Sequence, residues 1–354
     1  MRYEIEWIRD EERFRMLGEA WDDLAQIERT PFLLHAWFSA WWQAFGSGSS
    51  LEICALWGDG KLVGLFPLSR KGDRLAALAN VHTPVFRPFA RDAEALALVI
   101  EATLEARASE LCVPVIPRAD AAIAPLVERA RGAGRSVLIE AQHVSPFVAT
   151  NSEFAEYRTG LSSKTRSEVE RLRRKMQREH ETVFRVVVPP SELEHELEDG
   201  FAVEQSGWKG QRGTAILSNE KTALFYRSIA QEFYEREMLR FSSIVLDGRL
   251  AAFDLSLLAY NRLYPLKTAY DESFARLSPG LVLHYAVIER CFELSLDTLE
   301  LLGDDADWKR RFATGERPYC TFRAYRRRPV PAARFVYRRA IRPLLKRVRN
   351  RLPR

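Results

Sequence analysis

From Phe241 to Tyr270 the chain alternates runs of apolar and β-branched residues with short turn signals. The runs are F-S-S-I-V-L, R-L-A-A-F-D-L-S-L-L and R-L-Y-P-L-K-T-A-Y, separated by Asp247-Gly248 and Tyr260-Asn261. Such a pattern predicts three antiparallel strands joined by two tight turns. Pro265 removes a ladder donor, so the third strand is expected to lie at an edge or to bulge there. Alternation puts Asp254 on one face with Ala252 and Ser256, opposite Phe253 and Leu255. A carboxylate in so apolar a strand must be paired or have a raised pKa. The periodicity then turns helical, with Ser278 as N-cap and Pro279 as the first residue of an apolar helix. The amides of Gly280 and Leu281 are expected to be unpaired at the positive end of its dipole, a favourable seat for a phosphate.

The rest of the chain supplies a second copy of this pattern. Residues 11–45 read as two helical pieces, and the second carries Trp37, Phe38, Trp41 and Phe45 at the spacing of a buried face. A hairpin about Asp59-Gly60 follows, then a strand at 74–80, helices at 93–108 and 119–132, and strands at 110–116 and 135–141. The second half reads as helices at 152–158 and 162–179, a strand at 183–188, a helix at 191–206, a glycine-flanked loop from Gly207 to Thr214 and a helix at 221–236. Asp59-Gly60-Lys61-Leu62-Val63-Gly64 and Asp247-Gly248-Arg249-Leu250-Ala251-Ala252 occupy equivalent places, each with an aromatic-rich helix upstream. The reading is a duplicated α/β (α+β) chain, with domains at 1–150 and 151–325 and a tail at 326–354.

Charge sharpens the boundary of the tail. The 354 residues carry a formal +5, but Arg323 to Arg354 hold 12 arginines and one lysine with no acid, hence +13, which leaves 5 − 13 = −8 for the remainder. The stripe Tyr337, Ile341, Leu344, Leu345, Val348 and Leu352, kinked at Pro343, fits a helix lying on an anionic membrane surface. A solvated tail, or one docked on the acidic body, fits as well. RNA is less favoured because no RNA-binding motif accompanies the basic run. Seven basic residues between Lys164 and Arg178 are read as a solvated helix face with i,i+4 pairs, with an anionic-ligand contact as the lesser alternative. Cys54, Cys112, Cys291 and Cys320 are widely spaced and form neither a disulfide framework nor a zinc motif, which fits a reducing, cytoplasmic compartment. His82 and His284 lack metal-type spacing and are read as satisfied core histidines; no metal is expected. There is no G-x-S-x-G elbow, no Walker loop and no G-x-G-x-x-G after a strand. Hydrolase, nucleotidase and dinucleotide readings fall away.

Four stretches carry a family likeness: T-P-F-L-L-H-A-W-F-S-A-W-W-Q-A-F at 30–45, S-S-K-T-R-S-E-V-E-R-L-R-R at 162–174, W-K-G-Q-R-G-T-A at 208–215, and L-K-T-A-Y-D-E-S-F-A-R-L-S-P-G at 266–280, continued by L-G-D-D-A-D-W-K-R-R-F at 302–312. Over roughly residues 20–325 the chain resembles the CelD-like acetyltransferases, a branch of the GNAT superfamily related to the Fem aminoacyl-transferases. The resemblance implies two tandem GNAT-like domains, each a mixed, mainly antiparallel sheet flanked by helices, followed by the basic helical tail. The first domain is expected to be the degenerate partner. It also implies transfer of an acyl group, usually acetyl from coenzyme A, to an amine or hydroxyl, with a link to exopolysaccharide synthesis. Two alternatives stand beside it: a Fem-like enzyme using aminoacyl-tRNA, and a non-catalytic module in envelope polysaccharide assembly.

Acyl transfer from a thioester needs a phosphate anchor, an oxyanion donor, a base and an acid. Under the resemblance the thioester lies beside a splayed strand, here Leu263 to Tyr270. Lys267, Thr268, Arg276 and the backbone at Ser278, Pro279, Gly280 and Leu281 are the expected cofactor contacts. This loop has one glycine and a proline where GNAT phosphate loops have an Arg/Gln-x-x-Gly-x-Gly/Ala pattern. Candidate bases are Asp254, Glu204 and Asp304 or Asp305, and Tyr270 is the candidate acid. Lys267 is alternatively a holder of an acidic acceptor or the partner of Asp254 or Asp304 in a buried ion pair. Trp208 with Lys209, and Trp308 with Lys309, are expected platforms for a small-molecule or saccharide acceptor. The oligomeric state is not legible in the sequence.

Overall fold

The computed structural model describes residues 2–342, 344 and 345. The chain divides into two compact units, Met1–His143 with Pro318–Arg354, and Val144–Arg317. The strand Ser136–Ala149 leads out of the first unit, and Gly315–Tyr325 leads back to it.

In the first unit Tyr3–Ile8, Ile53–Gly58, Lys61–Phe66 and Phe89–Ala90 pair in that order as an antiparallel sheet. A second group of strands includes Arg74–Ala77, parallel to Glu110–Pro117, which in turn pairs antiparallel with Tyr319 to Tyr325. The helical stretch at 11–45 is divided more finely than its periodicity suggests, into Glu11–Met16, Gly18–Ala25 and His35–Phe45. Leu17 caps the first helix and Pro31 opens a separate turn, which accounts for the breaks. Trp37, Phe38 and Trp41 are buried, and Phe45 stacks on His82 at 5.7 Å, so the aromatic stripe is core.

The tail begins as the helix Pro329–Val336 and stays helical through Tyr337–Ile341. Arg323, Arg338 and Arg342 converge on Glu140 at 2.9, 3.5 and 3.3 Å, and Arg323 also meets Glu110 at 2.7 Å. The acidic body thus neutralises part of the basic run. Tyr337, Ile341, Leu344 and Leu345 are exposed; Pro343, Val348 and Leu352 lie outside the described residues. No helix among the described residues is long and apolar enough to cross a membrane.

In the second unit Thr182–Val188, Leu239–Leu246, Arg249–Ala259 and Arg262–Tyr270 pair antiparallel in sequence order. Asp247-Gly248 and Tyr260-Asn261 have positive φ at both positions, as does Asp59-Gly60 in the first unit, which is the geometry of two-residue hairpin turns. The two Asp-Gly hairpins also share a bulge. Trp57 faces Leu62 and Leu56 faces Gly64; likewise Val245 faces Leu250 and Ile244 faces Ala252. One extra residue, Val63 or Ala251, sits at the same place in each, which carries the duplication from sequence into backbone. Pro265 stands opposite Ser256 while Lys267 stands opposite Leu255, so the third strand bulges beside the proline.

The helix Pro279–Glu293 packs on one side of this sheet and Leu193–Ser206 on the other. Ser163–Glu179 is capped by Ser162, whose Oγ accepts from the Thr165 amide, and carries the expected pairs Arg174–Glu170 at 3.1 Å and Lys175–Glu179 at 3.9 Å. The expected loop after Gly207 contains a short helix, Trp208–Gln211, because Glu272 accepts the Trp208 amide at 2.7 Å and so starts a turn.

Candidate active site

The third strand of the second unit is the organising element. It runs from Arg262 to Tyr270 but pairs in parallel with Thr298–Glu300 only at Arg262–Thr298 and Leu263–Leu299. Beyond Leu263 the strand has no strand partner on that side among the described residues, so the two strands diverge and leave edge groups along residues 264–270. This is the splay the resemblance implies.

Register divides the candidates between two faces. Asp254 stands opposite Thr268 and Ala252 opposite Tyr270, while Leu255 stands opposite Lys267. Directly opposed residues share a face and neighbours alternate. Asp254, Thr268 and Tyr270 therefore lie toward the helix Pro279–Glu293, where the ring of Tyr270 comes within 3.2 Å of the place a Cβ on Gly280 would take. Lys267 lies on the other face with Phe253, which packs against Gly200 of Leu193–Ser206.

On that second face Glu204 is fully buried and both of its carboxylate oxygens are engaged. Its Oε1 meets Lys209 Nζ at 2.8 Å and Lys267 Nζ at 3.9 Å, and its Oε2 accepts the Ile216 amide at 2.8 Å. Lys209 Nζ also donates to the Thr268 carbonyl at 2.8 Å, on the unpartnered stretch of the strand. Lys267 Nζ sits 4.7 Å from the centre of the Tyr226 ring. Burial pulls the Lys267 ammonium down, Glu204 pulls it back up, and Lys209 adds to the downward push. Burial, then the Glu204 charge, drives the Tyr226 phenol upward. The expected ion pair of Lys267 with Asp254 or Asp304 is thus replaced by one with Glu204, because Asp254 is on the opposite face. Glu204 is a junction between four chain segments, and Lys209 is drawn inward to it instead of projecting from a loop.

On the first face Asp254 is buried and burial pushes its carboxyl up to about 7, partly opposed by the Ser256 hydroxyl, which donates to Oδ1. A carboxyl in that range is suited to proton transfer near neutral pH. Ser278 is the cap position of Pro279–Glu293, as the pattern predicts, but its backbone is left-handed and its side chain makes no capping bond. The Leu281 amide is not free as expected: the tight turn lets it donate to the Ser278 carbonyl at 3.0 Å, and Val282 donates there at 3.2 Å. The Gly280 amide is left without a partner among the described residues. Arg276 is exposed at the end of the preceding turn.

The other side of the splay is formed by the segment after Thr298–Glu300. Lys309 Nζ donates to the carbonyls of Leu302 and of Asp304, the latter at 3.0 Å. Burial pulls its ammonium down to about 8 against the upward pull of Asp304 and Asp305, and the charge of Lys209 adds to the depression. Asp304 is exposed, and Asp305 pairs with Arg310 at 3.0 Å. The edge of Trp308 meets the His284 ring at 4.9 Å. His284 is buried as expected but not satisfied: its Nε2 has no hydrogen-bond partner among the described residues, and burial, then Lys309, lowers its pKa to about 3. Trp308 and Trp208 are both half-exposed, and Arg212 lies over Trp208 at 5.0 Å. Glu272, Tyr226 and Ile216 complete the arrangement and carry no local sequence signal. Their partners are distant in the chain.

Residues 163–310 match the acetyltransferase (GNAT) domain family. The matched segment holds the bulged strand, the splay, the helix start, the Glu204 cluster and Lys309. No curated protein matches the chain. Among solved structures it is similar to the C-terminal domain (DUF2156) of a putative lysylphosphatidylglycerol synthetase from Agrobacterium fabrum, at 12% identity over 92% of this chain and 97% of that one, with a TM-score of 0.58. It is also similar to L-PGS from Bacillus licheniformis, at 13% identity over 94% and 96% with a TM-score of 0.56, and to FemX, at 11% over 90% and 96% with a TM-score of 0.52. At these identities the likeness is one of fold, and it covers 90% or more of this chain.

Proposed function

We propose that the chain transfers an acyl group, acetyl in the first instance, from an acyl-coenzyme A thioester to an amine or hydroxyl of a sugar, a polysaccharide precursor or another small acceptor. The observation that carries this reading is the splay beside Arg262–Tyr270, leading directly to a helix whose second residue is a glycine with a free amide. A coenzyme supplies an activated thioester; the chain supplies position and charge. The Gly280 amide, Arg276 and the Ser278 hydroxyl are the groups to hold its phosphates, with one backbone donor where a full phosphate loop has several. Asp254 is the base nearest neutral pH and Tyr270 the acid beside the helix start. Lys209 and Lys309 set a positive potential at the mouth of the splay. The CelD-like affiliation, a place in exopolysaccharide synthesis and a cytoplasmic location at a membrane face belong to this same reading.

Acetyl-CoA at a hundred times its Kd is expected to stabilise the protein by about 2.7 kcal/mol, read as a rise in Tm. Gly280→Leu should abolish that rise, because its side chain must displace the Tyr270 ring already within 3.2 Å of the Cβ position. Unchanged Tm with acetyl-CoA, together with no acyl-CoA turnover, sinks the proposal. Aminoacyl transfer is the second reading, favoured by the fold likeness to FemX and to the putative lysylphosphatidylglycerol synthetase domain. It is distinguished by product formation that requires aminoacyl-tRNA and ignores coenzyme A.

A further inference from the structure

The first unit contains a hollow of about 440 Å³, lined by none of the residues used in the chemistry proposed above, between the end of the helix Ala93–Glu105, the turn Ala133 to Arg135 and the run Arg326 to Arg328. Its floor is unusual in charge. Arg135 is 3% exposed and has no carboxylate within 4 Å among the described residues. Its guanidinium donates to the carbonyls of Ala108 at 3.1 Å, Leu104 at 2.5 Å and Ala106 at 3.3 Å. Leu104 belongs to the last turn of the helix, so the arginine meets the negative end of that dipole. These bonds use three of its five N–H groups and leave two without a protein partner among the described residues.

Carbonyls alone are weak compensation for a buried cation, which ordinarily keeps an anion beside it. Here the neighbours add to the burden. Arg326 donates to the Ala106 carbonyl at 3.1 Å, and burial together with its charge pulls Arg135 down to about 10. The side chains of Arg327 and Arg328 are exposed and meet no carboxylate within 4 Å among the described residues. Glu105 lines the hollow without an ion pair to any of the four. Four arginines and one glutamate give 4 − 1 = +3 around the space.

We infer that this hollow is a binding site for a phosphate group, held by Arg135 at its floor and by Arg326, Arg327 and Arg328 at its rim. Guanidinium groups meet phosphate oxygens in paired, charge-assisted bonds, and the volume admits a phosphate with the small group that carries it. The exposed Val330, Val336 and Tyr337 of the helix that starts after Arg328 place apolar surface beside the rim. The same chemistry can therefore arrive as a soluble phosphate ester or as a lipid head group. The inference is independent of acyl transfer.

The test compares the full chain with Arg327→Gln/Arg328→Gln, whose exposed positions leave the fold intact, and with Arg135→Gln. Glycerol 3-phosphate at millimolar concentration, against sodium chloride of equal ionic strength, is expected to raise the Tm of the full chain by several degrees and of the double variant by less than half as much. Phosphatidate vesicles should retain the full chain and release the double variant. A Tm rise without vesicle binding identifies a soluble ester, and vesicle binding without a Tm rise identifies a head group. Absence of both, or effects equal in the two proteins, overturns the site. If Arg135→Gln folds, its loss of the glycerol 3-phosphate response beyond that of the double variant places the phosphate at the floor.

Discussion

Glu204→Ala is expected to destabilise the protein by about 3–5 kcal/mol, the loss typical when one partner of a buried ion pair is removed. Two ammonium groups depend on this carboxylate, Lys209 at 2.8 Å and Lys267 at 3.9 Å, and so does the Ile216 amide. The Lys267 ammonium is already depressed by burial, and Glu204 is what raises it. Without Glu204 its pKa falls further. A lysine whose folded pKa lies below its unfolded value binds fewer protons when folded in the interval between them, so stability rises with pH across it. The deficit of Glu204→Ala should therefore shrink between pH 7 and pH 10. Denaturant unfolding at both pH values measures it, and a variant within 1 kcal/mol of the parent at pH 7 would show that the junction carries no weight. Replacing Glu204, Lys209 and Lys267 together by methionine should recover most of the loss, because packing then takes the place of an ion cluster that had to be desolvated.

The second large effect is a pH dependence. Burial raises the Asp254 carboxyl to about 7, whereas in the unfolded chain it titrates near 3.9. Between these values the folded protein holds a proton that the unfolded chain has released. Stability contributed by this group is full below about pH 4 and is lost as pH rises toward 7. Asp254→Asn keeps an oxygen for the Ser256 hydroxyl and cannot ionise. Relative to the parent it should gain on the order of 4 kcal/mol from pH 4 to pH 7 and then level off. Parallel stability curves for the two proteins across that range would contradict the burial argument. If Asp254 is also the base, the same substitution removes the acid limb of the rate profile.

What was legible in the sequence followed from local physics. Turn residues with positive φ, apolar alternation around Asp254 and the bulge at Pro265 all depend on neighbours within a few positions. The Asp254 environment was readable because six flanking residues already exclude water. The surroundings of Glu204 were not, since Lys209, Ile216, Tyr226 and Lys267 come from separate elements and no spacing announces their meeting. Ser278 followed the cap rule in position but not in conformation: a left-handed backbone turned its carbonyl to the Leu281 amide and halved the expected anion site. The pairing of Tyr319 to Tyr325 with Glu110–Pro117 likewise joins residues too far apart for periodicity to relate.

The shared bulge in the two Asp-Gly hairpins keeps the same side chains on the same face in both copies around the turn. An insertion in only one copy would invert every side chain beyond it relative to the other copy. With Val63 and Ala251 at corresponding positions, the inward residues of one hairpin remain inward when its strands are transplanted into the other half. The copies differ beyond the bulge in reach, since Lys61–Phe66 spans 6 residues and Arg249–Ala259 spans 11, so an exchange is confined to the residues around the turn.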